Sequence, residues 1–97
     1  MIRHIGLCIL QPGTTAEQVR PWVDAITAML SLGLAKHTRG PDLGLREGNA
    51  SMAAVCDCAD EDAYRAWDTD AEHNRIRRQL MPPLLVRAER CQYRLVD

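Results

Sequence analysis

Three histidines and four cysteines are the side chains of this sequence best suited to proton, metal or redox chemistry near neutral pH. His73 follows Thr69-Asp70-Ala71-Glu72, which fits a capping box in which Thr69 accepts from the backbone at Glu72 while Glu72 reaches back. His73 then sits in the first turn of a helix, where the dipole disfavours the imidazolium. A neutral imidazole can accept a proton, so the position suits a general base. It also suits a polar residue that fills a pocket mouth or bonds a nearby backbone group. His4 alternates with Gly6 and Cys8 on one face of an apolar run, where it serves either as a donor to a substrate oxygen or as hydrogen-bonded structure. Cys56 and Cys58 form a C-x-C pair whose thiols lie about 7 Å apart on one strand face, with Cys8 on a neighbouring strand able to approach them. Three thiols beside His4 would be a soft-metal or redox site. The spacing is not that of tight zinc loops, and cysteine is a common buried residue, so no metal and no cofactor are expected. Cys91 is expected on the opposite face.

These residues need elements to hold them. Ile2 to Leu10 is almost wholly apolar and closes at Gln11-Pro12-Gly13, so it reads as a first strand. Thr14 or Thr15 caps an amphipathic helix carrying Val19, Trp22, Val23, Ile26, Met29 and Leu30, with Pro21 near its start and an end near Gly33. Leu34 to Arg39 reads as a second strand, Gly40 to Asn49 as a long loop, and Ser51 to Cys58 as a third strand. Asp60, Glu61 and Asp62 supply the negative charge a helix start favours, and a short helix through Ala63 to Trp67 breaks at Asp68. The helix capped at Thr69 runs to about Met81, where Pro82-Pro83 stops it, and a final strand reads from Ala88 onward. The order β-α-β-β-α-β is the split βαβ arrangement, an α+β fold with the helices on one face of a four-stranded antiparallel sheet. The other face is left bare, and a symmetric homodimer is the simplest way to cover it.

Length and charge narrow the field further. Ninety-seven residues, 46% apolar and 26% charged, bound the chain to one folded domain spanning 1–97. A net charge of −1 gives no general attraction to nucleic acid or anionic membrane. Ile5 to Leu10, the longest apolar stretch at the start, is far short of the roughly 20 residues of a membrane helix and lacks a signal-peptide pattern, so a cytoplasmic setting with free thiols is expected. Asp57 to Glu72 holds seven acids against Arg65, and arginines dominate afterwards. Solvated faces and intersubunit ion pairs account for that asymmetry.

Several segments in order carry a resemblance: Met1-Ile2-Arg3-His4-Ile5, Pro12-Gly13-Thr14-Thr15, Gly40-Pro41-Asp42-Leu43-Gly44-Leu45-Arg46-Glu47-Gly48-Asn49, Asp60-Glu61-Asp62-Ala63-Tyr64 and Asp70-Ala71-Glu72-His73. Together they resemble the stress-responsive dimeric α/β-barrel (Dabb) family over nearly the whole chain. The resemblance implies ferredoxin-like subunits whose sheets pair across a two-fold axis. Members include plant stress-responsive proteins of unclear chemistry and a polyketide cyclase that performs an aldol condensation without metal or cofactor. The fold does not choose between them.

By that resemblance His73 stands where the cyclase has its catalytic base, and His4 at a position lining the cavity between sheet and helices. Trp22, Val23, Ile26 and Trp67 with Gly6, Cys8, Ala54 and Cys56 would line its walls. One departure is clear. Where the cyclase carries a tyrosine six residues before its histidine, this chain has Trp67, whose indole donates a hydrogen bond and cannot exchange a proton. Tyr64, three residues earlier on the same helix, substitutes only if that helix is rotated or shifted, and otherwise both rings pack on the sheet. His37 matches no catalytic position. The expectation is a cofactor-independent cyclase or isomerase acting on a carbonyl-rich specialised metabolite, with His73, His4 and Tyr64 as catalytic candidates. The alternative is a non-catalytic homodimer that binds a hydrophobic or polyketone-like small molecule.

Overall fold

A computed structural model describes residues 1–28 and 34–96. The elements are β1 (Ile2–Leu10), α1 (Ala16–Ala28), β2 (Leu34–Pro41), β3 (Met52–Cys58), α2 (Glu61–Asp68), α3 (Ala71–Gln79) and β4 (Leu85–Arg94). The strands form one antiparallel sheet in the order β2-β3-β1-β4. This is the split βαβ topology that the alternation of strand and helix patterns predicts.

Period-2 alternation gives each strand two unlike faces. On β1, Ile2, His4 and Cys8 are buried beneath the helices, and their partners on β3 are Cys58, Cys56 and Met52. Trp22 of α1, Trp67 of α2 and Ile76 of α3 close over them to form the core with Cys8, Met52 and Cys56. The opposite face carries Ile5 beside Val55 and Cys91, and Leu7 beside Ala53 and Glu89. No element of the described chain covers that face, and Leu7 remains 39% exposed. Cys91 lies on it, as the alternation predicts.

The turn between β1 and α1 shows why Pro12-Gly13 punctuates the sequence. Thr14 N–H donates to the Gln11 carbonyl at 3.1 Å, and Gly13 at φ +81° takes the left-handed position that a turn with proline before it requires. Thr15 and Gln18 then cap α1 reciprocally, at 2.8 and 3.3 Å. Pro21 falls in the second turn of α1, where it removes a single helical hydrogen bond. The expected end of this helix near Gly33 lies outside the described residues.

Several boundaries differ from the sequence reading. β2 continues to Pro41, two residues beyond Arg39, because Gly40 and Pro41 still pair with Ala53 and Met52. β3 starts at Met52, one residue after Ser51, whose N–H donates to the Cys8 carbonyl and whose hydroxyl accepts from Leu10 N–H, both at 2.9 Å. β4 begins at Leu85 and not at Ala88; a bulge between Ile9 and Leu10 lets Leu85 reach Leu10. The helix after Trp67 stops at Gln79 with Leu80 as its cap, short of Met81.

The cap of α3 is also corrected. Asp70 is the N-cap and its carboxylate accepts from the backbone N–H groups of Glu72 and His73 at 2.9 and 3.2 Å. Thr69 instead ends α2, its hydroxyl donating to the Arg65 carbonyl at 2.7 Å, and Glu72 turns outward to Arg75. A carboxylate at the N-cap satisfies two backbone donors and complements the helix dipole, so it wins over the neighbouring hydroxyl.

Candidate functional site

The site grows from the junction of α2 and α3. The last carbonyls of a helix have no partner within it. The Trp67 carbonyl, one residue from the end of α2, accepts from the Nδ1–H of His73 at 2.9 Å. With Nδ1 protonated, the neutral imidazole leaves Nε2 as its lone-pair nitrogen. His73 is 4% exposed, and burial lowers its pKa, although the Trp67 carbonyl opposes the shift. Asp70, by capping the backbone of His73, fixes the turn that carries the ring.

His4 is the second buried imidazole. The Gln92 side-chain amide on β4 donates to its Nδ1 at 2.9 Å, which places the ring's own proton on Nε2. A Cβ on Gly6 would lie 3.8 Å from that Nε2, so Gly6 leaves room beside it. Burial pushes the His4 pKa down to about 4, and nearby Arg90 and Arg77 add in the same direction. The two histidines are thus neutral at pH 7 in opposite tautomers: His73 presents a lone pair at Nε2 and His4 presents N–H there.

Aromatic rings join them. Trp67 lies 4.0 Å from His73 and 5.5 Å from His4, centroid to centroid, and Tyr64 lies 5.6 Å from His4. The Trp67 indole N–H is buried and has no hydrogen-bond partner among the described residues. Tyr64 keeps its proton, its pKa raised by burial. The helix therefore brings Tyr64 to His4 and Trp67 to His73.

The remaining expected wall residues separate into two groups. Trp22, Cys8 and Cys56 are core residues, with Val23 and Ile26 packed against them. Gly6 and Ala54 face each other on β1 and β3 in the row next to His4. The thiol cluster is corrected by register: Cys56 pairs with His4, whereas Cys8 pairs with Met52, four residues further along β1. Among the described residues no group of histidine, cysteine or carboxylate side chains could hold a metal ion. Burial pushes the Cys56 thiol up to about 12, so it is no nucleophile near neutral pH.

Sequence reasoning missed Gln92, and it placed His37 on the second strand, where it lies, without a role. Gln92, His4, Cys56 and His37 form one row across all four strands on the helix-covered face. The Nε2 of His37 is buried there and has no hydrogen-bond partner among the described residues. Strand alternation would have located Gln92, once the β1–β4 register was known.

A cleft of about 400 Å³ at the β4 side is lined by Tyr64 and Gln92, two of the residues around His4, together with Glu61 and Arg94, which pair at 2.9 Å. A larger cavity of about 720 Å³ lies at the far end of β1, and Val23 is the expected wall residue that lines it.

No protein-family model and no curated protein matches the sequence. Solved structures do. A dimeric ferredoxin-like protein of unknown function from Thermobifida fusca is 31% identical over 97% of this chain and 90% of its own, with a TM-score of 0.83. A Dabb family protein with a ferredoxin-like fold from Mesorhizobium loti superposes with a TM-score of 0.80 at 15% identity, over 99% of this chain and 97% of its own. The chain belongs with the dimeric ferredoxin-like protein from Thermobifida fusca, and it shares the fold of the Dabb family protein. Within the Dabb fold a hydroxynitrile lyase from Passiflora edulis is also similar, with a TM-score of 0.84 at 12% identity over 99% of this chain and 94% of that one. At that identity the likeness concerns the fold alone.

Proposed function

We propose that the protein is a homodimeric, cofactor-independent lyase or cyclase that moves protons on a small carbonyl compound. His73 Nε2 takes the proton, from a carbon flanked by carbonyls in the cyclase form or from a cyanohydrin hydroxyl in the lyase form. His4 Nε2–H donates to a substrate oxygen, and Tyr64 and the Trp67 indole N–H are further donors beside it. In this proposal substrate enters from the β4 side, where a cleft is lined by Tyr64 and by Gln92, the hydrogen-bond partner of His4. The observation that carries the reading is the His73 Nδ1–H bond to the Trp67 carbonyl, which holds the base in one tautomer. Such a base typically contributes 10²- to 10⁴-fold.

The dimer in this proposal forms through the bare sheet face, where Ile5, Leu7, Val55 and Ala53 of one protomer meet the same residues of its partner. Sedimentation at micromolar concentration is expected to give a dimer. A monomer there removes this part of the proposal.

The test of the chemistry is turnover of a linear poly-β-ketone and of an aromatic cyanohydrin by the wild type and His73→Ala. A drop in kcat/KM of about 10²-fold or more with retained ligand affinity is expected. Unchanged turnover, or none by the wild type on either compound, overturns the base assignment. The close packing of Trp67 on both histidines favours a second reading, a non-catalytic dimer that binds a hydrophobic small molecule. In that case ligand binds and neither compound turns over.

A further inference from the structure

The cavity of about 720 Å³ at the end of β1 shares neither histidine with the site above, and its size falls within the range of small-molecule pockets. Its apolar wall is Leu10 of β1, Val19 and Val23 of α1 and Met52 of β3, all at least partly buried. Its polar lining is of two kinds. The Ser51 hydroxyl, the Thr14 hydroxyl and the Gln11 amide are used by Leu10 N–H, the Gln11 carbonyl and the Leu85 carbonyl. Arg20, Asp24 and Arg39 are different: among the described residues none of them forms an ion pair. Two guanidinium groups against one carboxylate leave a positive excess beside an apolar wall.

We propose that this cavity binds a medium-chain carboxylate, the alkyl chain lying along Leu10, Val19, Val23 and Met52 and the carboxylate held by Arg39 and Arg20. Guanidinium donors match a carboxylate in both charge and shape, and an alkyl chain displaces water from an apolar wall. Asp24 sets the preference. It repels a carboxylate that is not seated between the two arginines. The site is independent of the proposed proton chemistry, since it uses neither His73 nor His4.

The experiment is calorimetric titration of the intact protein with sodium decanoate and with 1-decanol. Decanoate is expected to bind about tenfold or more tightly than decanol. Arg39→Gln and Arg20→Gln, both changes at the cavity rim, should each weaken decanoate several-fold and leave decanol unchanged. Val23→Trp fills the cavity and should abolish both, with circular dichroism reporting that the variant is folded. His73→Ala should leave decanoate affinity unaltered, which separates this inference from the proposed activity. Equal affinity for decanoate and decanol, no binding of decanoate, or decanoate affinity insensitive to both arginine changes overturns the proposal.

Discussion

Trp67 holds His73 twice: its carbonyl accepts the Nδ1–H at 2.9 Å, and its indole packs on the same imidazole at 4.0 Å between centroids. The two contacts come from different parts of one residue, so they can be separated. Trp67→Ala removes the ring from a buried position and should cost about 3–5 kcal/mol in urea denaturation. The backbone carbonyl stays, so nitrogen-15 NMR should still find the His73 proton on Nδ1. A switch to Nε2–H in this variant would mean that the ring, and not the carbonyl, sets the tautomer.

Acid should unfold the protein early. His4, with its pKa near 4 in the folded state, and His73 and His37, also lowered by burial, bind fewer protons folded than unfolded. Stability is therefore full above the unfolded histidine value of about 6.5 and falls as pH drops towards 4. His4 alone accounts for roughly 3 kcal/mol across that window. Urea midpoints measured from pH 7.5 to 4.5 should show the decline, and His4→Gln should flatten it. An equally steep profile in His4→Gln would rule out His4 as its source.

The cap of α3 yields a sharper comparison. Asp70→Ala should lower stability by about 1 kcal/mol, because two backbone N–H groups lose their acceptor. Thr69→Ala should cost only a few tenths, since the capping oxygen is not its own. Thermal unfolding of the two variants decides the matter, and a larger loss at Thr69 would reinstate the capping box.

On the bare sheet face Arg3 donates to both oxygens of Asp57, at 2.8 and 3.0 Å, and holds that carboxyl below the usual range. Asp57 is buried and Arg3 is a third exposed, so solvent screens part of the pairing. Asp57→Ala should cost about 1–3 kcal/mol. The double variant Arg3→Met, Asp57→Ala should cost less than the sum of the single changes, as coupled partners do. Strict additivity in the double-mutant cycle would show that the pair contributes nothing.

Cys91 reports on the same face. It lies opposite Ile5 and is exposed in the isolated chain, whereas Cys8, Cys56 and Cys58 are buried. If sheets pair in the proposed dimer, alkylation of Cys91 should accelerate as the protein is diluted through its dissociation range, and the three buried thiols should react only on unfolding. Labelling of Cys91 at a rate independent of concentration would place the interface elsewhere.

Much of this molecule is legible in its sequence because strand and helix periods are local properties. The alternation of Ile2, His4, Gly6 and Cys8 assigns one face of β1, and the three- and four-residue spacing of Val19, Trp22, Val23 and Ile26 assigns one face of α1. From those patterns came the split βαβ order, the bare sheet face and the placing of His73 in a first turn. What the sequence could not determine are the relationships that depend on register and on helix-to-helix approach. A one-residue choice between Thr69 and Asp70 decides the cap, and both are chemically competent. Pairing offset decides that Cys56 and not Cys8 stands beside His4, and that Gln92 reaches the imidazole from a strand 88 residues away. The tautomers of His4 and His73 follow from one amide and one carbonyl that only the assembled structure brings within 2.9 Å. Residue types and local periods set which groups were on hand; the free energy of packing the sheet against three helices selected which of them meet.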